Sequence, residues 1–194
     1  MDNDLVLQLY SKPETVFTVD EIAQLFPNIS YKSLRDRLYY FTKIGKLKRL
    51  HHGIYAKKEH NSFELANKVY KPSYISLETV LATGSVVFQH YETIFLVSYL
   101  TRTIRVNSTD IQYRQIKGEV LTNIQGIEQK TGYFIATLER AFLDAVYIYK
   151  DYHFDNVSHV NWDVIFKILP IYGGNKRMAK IVAHYHNSFK QEVV

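Results

Sequence analysis

Cysteine is absent from the 194 residues, which excludes disulfides and thiolate metal sites and points to a reducing, cytoplasmic setting. Long apolar runs are missing too. No stretch approaches the ~18 uninterrupted apolar residues of a membrane span. The chain opens on the acidic Met1-Asp2-Asn3-Asp4, whereas a secretory signal starts basic and continues apolar. No membrane partner is therefore expected. Internal repeats and low-complexity tracts are lacking, as are a Gly-rich phosphate loop, a nucleophile elbow and a His pair at zinc-binding spacing. His184 and His186 stand two apart, on different faces of a helix. No cofactor and no metal is expected.

Aromatic surface and unevenly placed positive charge are what the chain has in quantity. Sixteen Tyr and eleven Phe supply large buried areas, enough to build two cores from modest lengths of chain. Net charge is +5, yet Lys32, Arg35, Arg37, Lys43, Lys46, Lys48, Arg49, Lys57 and Lys58 face a single acid, Asp36, within one stretch. That surplus of eight leaves the rest of the chain at −3. A basic segment on an otherwise acidic chain is the electrostatic footprint of polyanion binding.

The basic stretch belongs to a run of four elements. From Asp4 to Lys12, Leu5, Val6 and Leu9 share one helical stripe, which stops at Pro13. Thr18 and Glu21 form a capping-box pattern ahead of a short helix that ends at Pro27-Asn28. Ser30 caps a second helix over Tyr31 to Ile44, where Leu34, Leu38 and Phe41 fall on one buried face. The opposite arc carries Lys32, Ser33, Asp36, Tyr39, Tyr40 and Lys43, with Arg35 on its edge; Arg37 lies nearer the buried stripe, placed for an anchoring ion pair. Gly45 ends the helix, and residues 46–56 read as a β-hairpin broken at Gly53, with a basic tip.

This order of elements predicts a winged helix-turn-helix over residues 1–58. A polar helix face fits a major groove. Arg35 can take a guanine bidentately, with Ser30, Tyr31, Lys32 and Ser33 early enough to reach bases or phosphates. Tyr39, Tyr40 and Lys43 fall where backbone contacts are usual. Lys46, Lys48, Arg49, His51 and His52 would let the hairpin straddle phosphates or enter a minor groove. Winged helices also mediate protein contacts, so a protein-interaction role is the first alternative.

Residues 61–194 read as an α+β domain with a small antiparallel sheet and packed helices, making the chain α+β overall. Helices are predicted after Asn61, over Leu77 to Thr83, from Thr137 to about Tyr149, from Asn161 to Pro170, and after Gly173-Gly174. Strands are predicted at 74–76, 94–99, 102–107, 111–117 and 133–136. Glu78, Glu139 and Asp144 are carboxylates that could assemble a metal-dependent nuclease site, which is the second alternative. A structural reading fits them better. Glu139 stands in a first helical turn, where the dipole favours an acid, and Asp144 follows Arg140 by four, ready for a helical ion pair. No catalytic residue is expected.

Three ordered motifs carry a resemblance. Pro72-Ser73-Tyr74-Ile75-Ser76-Leu77-Glu78-Thr79-Val80-Leu81 followed by Gly84, then Tyr113-Arg114-Gln115-Ile116-Lys117, then Ile135-Ala136-Thr137-Leu138-Glu139-Arg140-Ala141-Phe142-Leu143-Asp144, resemble segments of AbiEi-type antitoxins. Gly53-Ile54-Tyr55 also fits. These are transcriptional regulators of abortive-infection (type IV) toxin–antitoxin systems. The family's proline in the last motif is Leu138 here, and residues 118–127 match only loosely. The resemblance implies a bacterial autorepressor in phage defence, binding inverted repeats in its own promoter. It also implies a functional partner, a nucleotidyltransferase-like toxin, with no stable complex inferred. Ser76, Glu78, Gly84, Glu139, Arg140 and Asp144 are the motif positions to which it assigns a structural or antitoxin role.

Overall fold

The computed structural model describes residues 2–192; the outer ends of the two expected segments, at Met1 and residues 193–194, lie outside them. The fold is mixed α+β, with nine α-helices among the described residues, a three-stranded antiparallel sheet and a larger mixed sheet of six strands.

The first three helices are α1 (Asp2–Ser11), α2 (Val19–Leu25) and α3 (Tyr31–Lys43). Leu5, Leu9, Ile22, Leu34, Leu38 and Phe41 form one apolar cluster beneath them. The Thr18 hydroxyl accepts from the Glu21 amide while the Glu21 carboxylate accepts from the Thr18 amide, the reciprocal cap expected at α2. Strand β1 (Val16–Thr18) precedes α2, and β2 (Lys48–His51) and β3 (Ile54–Ala56) form the expected hairpin. Strand order is β1-β3-β2, all antiparallel.

All three residues of β3 are buried, because the small sheet is covered on both sides. Side chains alternate across a strand. Phe17 and Tyr55 join the helical cluster, whereas Val16, Leu50, Ile54 and Ala56 join the main core. That second face rests on α4 (Ser62–Val69). The buried Glu64 of α4 accepts hydrogen bonds from the Thr15 amide (2.8 Å), the Thr15 hydroxyl (3.0 Å) and the Val16 amide (3.0 Å). Lys68, one turn on, donates to the Val16 carbonyl (2.6 Å) and to Glu21 (2.8 Å).

The large sheet contains β4 (Ser73–Ile75), β5 (Ile94–Ser98), β6 (Arg102–Val106), β7 (Thr109–Gln115), β8 (Ile127–Lys130) and β9 (Tyr133–Ala136), in the order β6-β7-β5-β4-β9-β8. It corrects the expectation of a small antiparallel sheet. The pairs β4–β9 and β5–β7 are parallel, and β8 adds an edge. Antiparallel pairing is the natural default for strands close in sequence, and here crossovers intervene: the β6–β7 hairpin folds back to lay β7 beside β5. Strand β8 carries almost no buried side chain and is held by backbone pairing with β9, so it leaves no apolar alternation to read.

Helix α5 (Glu78–Thr83), the one-turn α6 (Gly118–Leu121) and α7 (Leu138–Ile148) follow their strands. The Tyr113 hydroxyl reaches the Ala66 carbonyl of α4, while the next residue, Arg114, lies over the ring of Tyr149 at the end of α7. Consecutive strand residues point opposite ways, so α4 and α7 cover opposite faces of the sheet. Outside α7 pack α8 (Trp162–Ile168), a 3₁₀ turn (Leu169–Tyr172) and α9 (Lys176–Glu192). Arg177 of α9 donates to the carbonyls of Val146, Tyr147 and Tyr149, satisfying the open end of α7. No helix among the described residues is long and apolar enough to cross a membrane.

Candidate nucleic-acid interface

Helix α3 forms because Ser30 caps it, its side chain accepting from the Ser33 amide, and because Leu34, Leu38 and Phe41 bury one stripe. Gly45, at φ 70, reverses the chain, and the amides of Lys46 and Leu47 return to the Phe41 carbonyl. What remains outside is the predicted arc. Tyr31, Lys32, Arg35, Asp36, Tyr39, Tyr40 and Lys43 are exposed and Ser33 is half-buried. Tyr39 and Tyr40 are unusually bare for aromatic residues, at 67% and 53% exposure. Tyr31 is steadied by a hydrogen bond from its hydroxyl to Asp20 (3.3 Å).

The β2–β3 hairpin stands beside this arc. Lys48, Arg49, His51 and His52 are exposed, while a bulge between Arg49 and His51 turns Leu50 into the core. Gly53, at φ 70, makes the turn, and its carbonyl accepts from the Val19 amide (2.9 Å), which pins the hairpin to the start of α2. Between hairpin and helix runs a groove of about 440 Å³, lined among others by Lys32, Arg35, Tyr39, Arg49 and His52. Candidate residues from two elements thus converge on one concave surface, with Asp36 as its carboxylate.

Two of the candidates are engaged elsewhere. The Ser30 hydroxyl serves the helix cap. Lys46 is half-buried, with its ammonium 6.0 Å from the Phe41 ring and its carbonyl accepting from Tyr10. The charge count also overstates the surface. Lys57 donates to the carbonyls of Lys12 (2.5 Å) and Tyr10 (3.4 Å), closing the end of α1.

The motif residues of the second segment build something different. Arg140 and Asp144 are both fully buried, their pair 3.3 Å apart across one turn of α7. Asp144 also accepts from the hydroxyls of Ser76 (2.8 Å), Tyr172 (2.7 Å) and Tyr74 (3.2 Å). Arg140 donates to the carbonyls of Val120, Asn123 and Gln125 and to the Tyr74 hydroxyl. The rings of Tyr74 and Tyr172 lie 5.3 and 5.5 Å from the guanidinium carbon. Burial works against the charged guanidinium, but the Asp144 carboxylate and the two tyrosines outweigh it, so the proton is held more tightly than usual.

The other motif positions are equally structural in their surroundings. Glu78 is buried, which raises its carboxyl above the ordinary range against the opposing hydrogen bond from Tyr149 (3.2 Å). Glu139 accepts from the Asn161 amide (3.2 Å), linking the starts of α7 and α8. A Cβ at Gly84 would press on the Leu138 side chain, so the end of α5 and the start of α7 meet closely there. Glu78, Glu139 and Asp144 thus have three separate sets of partners. Among the described residues no group of three His, Cys, Asp or Glu side chains is placed to hold a metal ion. No protein-family model matches the chain, and a search of curated proteins finds no match.

Proposed function

We propose that this protein binds duplex DNA in the cytoplasm and represses its own promoter, as the antitoxin of a type IV, phage-defence toxin–antitoxin system. The observation that carries the DNA-binding reading is the groove in which Arg35 of α3 meets Arg49 and His52 of the hairpin. Three helices followed by a basic hairpin support a winged helix-turn-helix, with α3 as the recognition helix and the β2–β3 turn as the wing. A helix with side chains is about 10–12 Å across and a B-form major groove about 12 Å wide, so α3 fits with its exposed arc against base edges. Lys43, Lys48, His51 and His52 then face phosphates. The antitoxin reading rests on the motif resemblance. The motif residues hold the second segment together, so they support a shared fold rather than a shared chemistry. The nuclease alternative gains nothing from carboxylates that are already engaged separately.

The test is binding of a duplex from the region upstream of the protein's own gene, against random duplex, over a range of salt. With about six phosphates neutralised, log K should fall against log salt with a slope near −5. Arg35→Ala should lose roughly 1–3 kcal/mol of preference for the upstream duplex. Equal affinity for both duplexes, with a flat salt dependence, would refute the reading.

A further inference from the structure

A second groove, of about 930 Å³, opens on the far side of β2, between the hairpin and the turn that joins β6 to β7. Its lining brings together Lys48, Arg49 and Lys58 with Asn107, Ser108 and Thr109; Glu59 is the only carboxylate in it. Lys58, Asn107 and Ser108 are exposed. The turn is only two residues long, fixed by the pairing of Val106 with Thr109, and its Asn107 sits at φ 55, which asparagine tolerates. Three cations on one wall and short hydroxyl and amide side chains on the other form the donor set that grips phosphodiester oxygens without reading bases. Arg49 lines this groove and the α3 groove alike, so the two surfaces are continuous across β2.

We infer that this second groove carries the duplex backbone flanking the α3 site, so that the β6–β7 turn of the large sheet is part of the DNA interface. The inference rests on the duplex-binding reading above and extends it to a surface some fifty residues away in sequence from the basic segment. Phosphate gripping is sequence-independent, so groove variants should act on all duplexes alike and leave the preference for upstream DNA untouched.

The probe is a fluorescently labelled random duplex of about 30 base pairs, long enough to pass beyond one recognition helix. Its anisotropy is measured against salt with the full chain. Ser108→Glu should weaken binding about tenfold through like-charge repulsion. Lys58→Ala should flatten the salt slope by about 0.9. Ser108→Lys should tighten binding and steepen the slope by about the same amount. That gain cannot arise from misfolding. If neither charge at Ser108 alters affinity or slope while the wild type binds, the backbone does not pass through this groove and the α3 reading stands alone. If the wild type shows no salt-dependent duplex binding, both fall together.

Discussion

Arg35 and Arg140 carry the same guanidinium group on helices of similar length, and the fold uses them in opposite ways. Arg35 stands in solvent on α3, on a surface where cations outnumber carboxylates. Arg140 has no solvent at all, and its donors are met by three carbonyls, a tyrosine hydroxyl and the Asp144 carboxylate. Desolvating a charge costs several kcal/mol unless its partners are in place. The buried pair is therefore committed to the packing around it, and breaking one side leaves the other stranded. The exposed charges add little to stability and remain disposable, so a polyanion can use them. Placement decides the role.

The sharpest way to break this comparison is Asp144→Ala. It strands a buried guanidinium and should destabilise the fold by about 3–5 kcal/mol, read as a lowered denaturation midpoint. A loss below about 1 kcal/mol would mean that the pair is no keystone. A smaller effect, spread over pH, is expected at Glu21. Burial by itself would raise its carboxyl, but Lys68, the Thr18 amide and Lys71 hold it down at about 2, against an ordinary 4.5. A carboxyl lowered by folding stabilises the fold above its unfolded value and gives that up as pH falls toward the folded one. Glu21→Gln should therefore reduce the loss of stability between about pH 4.5 and 2, and denaturation curves that run parallel to wild type there would contradict the assignment.

Thr137→Ala removes the cap of α7, where the hydroxyl accepts from the Arg140 amide, and should cost about 1 kcal/mol. Lys48→Ala, at the exposed end of the scale, should shift stability by no more than about 0.5 kcal/mol while weakening every duplex alike. A large drop in melting temperature would move Lys48 from the binding surface to the fold.

Much of the architecture was legible because it rests on local rules. The Thr18–Glu21 box, the caps at Ser30, Asn61, Thr137 and Asn161, and the Leu34–Leu38–Phe41 stripe all announce themselves within a few residues. What stayed hidden is made by distant residues. Strand β1 is three residues squeezed between Pro13-side loop and cap, and it exists only because β3 pairs with it forty residues later. Residues Arg140 and Asp144 form the expected i,i+4 ion pair, but spacing alone does not distinguish a surface pair from a buried one. Tyr74, Ser76 and Tyr172, with the carbonyls of Val120, Asn123 and Gln125, are brought from elsewhere and make its burial tolerable. At the candidate interface the basic arc was readable, whereas the retirement of Lys57 onto α1 and the arrival of Asn107 and Ser108 beside β2 were not.

The partners of Arg140 and Asp144 also set a timetable. Every residue of the α1–α3 cluster has been synthesised once Tyr55 is made, but Tyr172, which closes the knot, lies far downstream, and Arg177, which seals α7, comes after it. At roughly 5–20 residues per second that delay is on the order of ten seconds. Val16, Leu50, Ile54 and Ala56 are covered by α4, made soon after them, but the sheet on which α4 itself rests is completed only when β9 has been made. For that interval the basic segment has been synthesised and the sheet that supports it has not, and premature association or proteolysis would find the chain then.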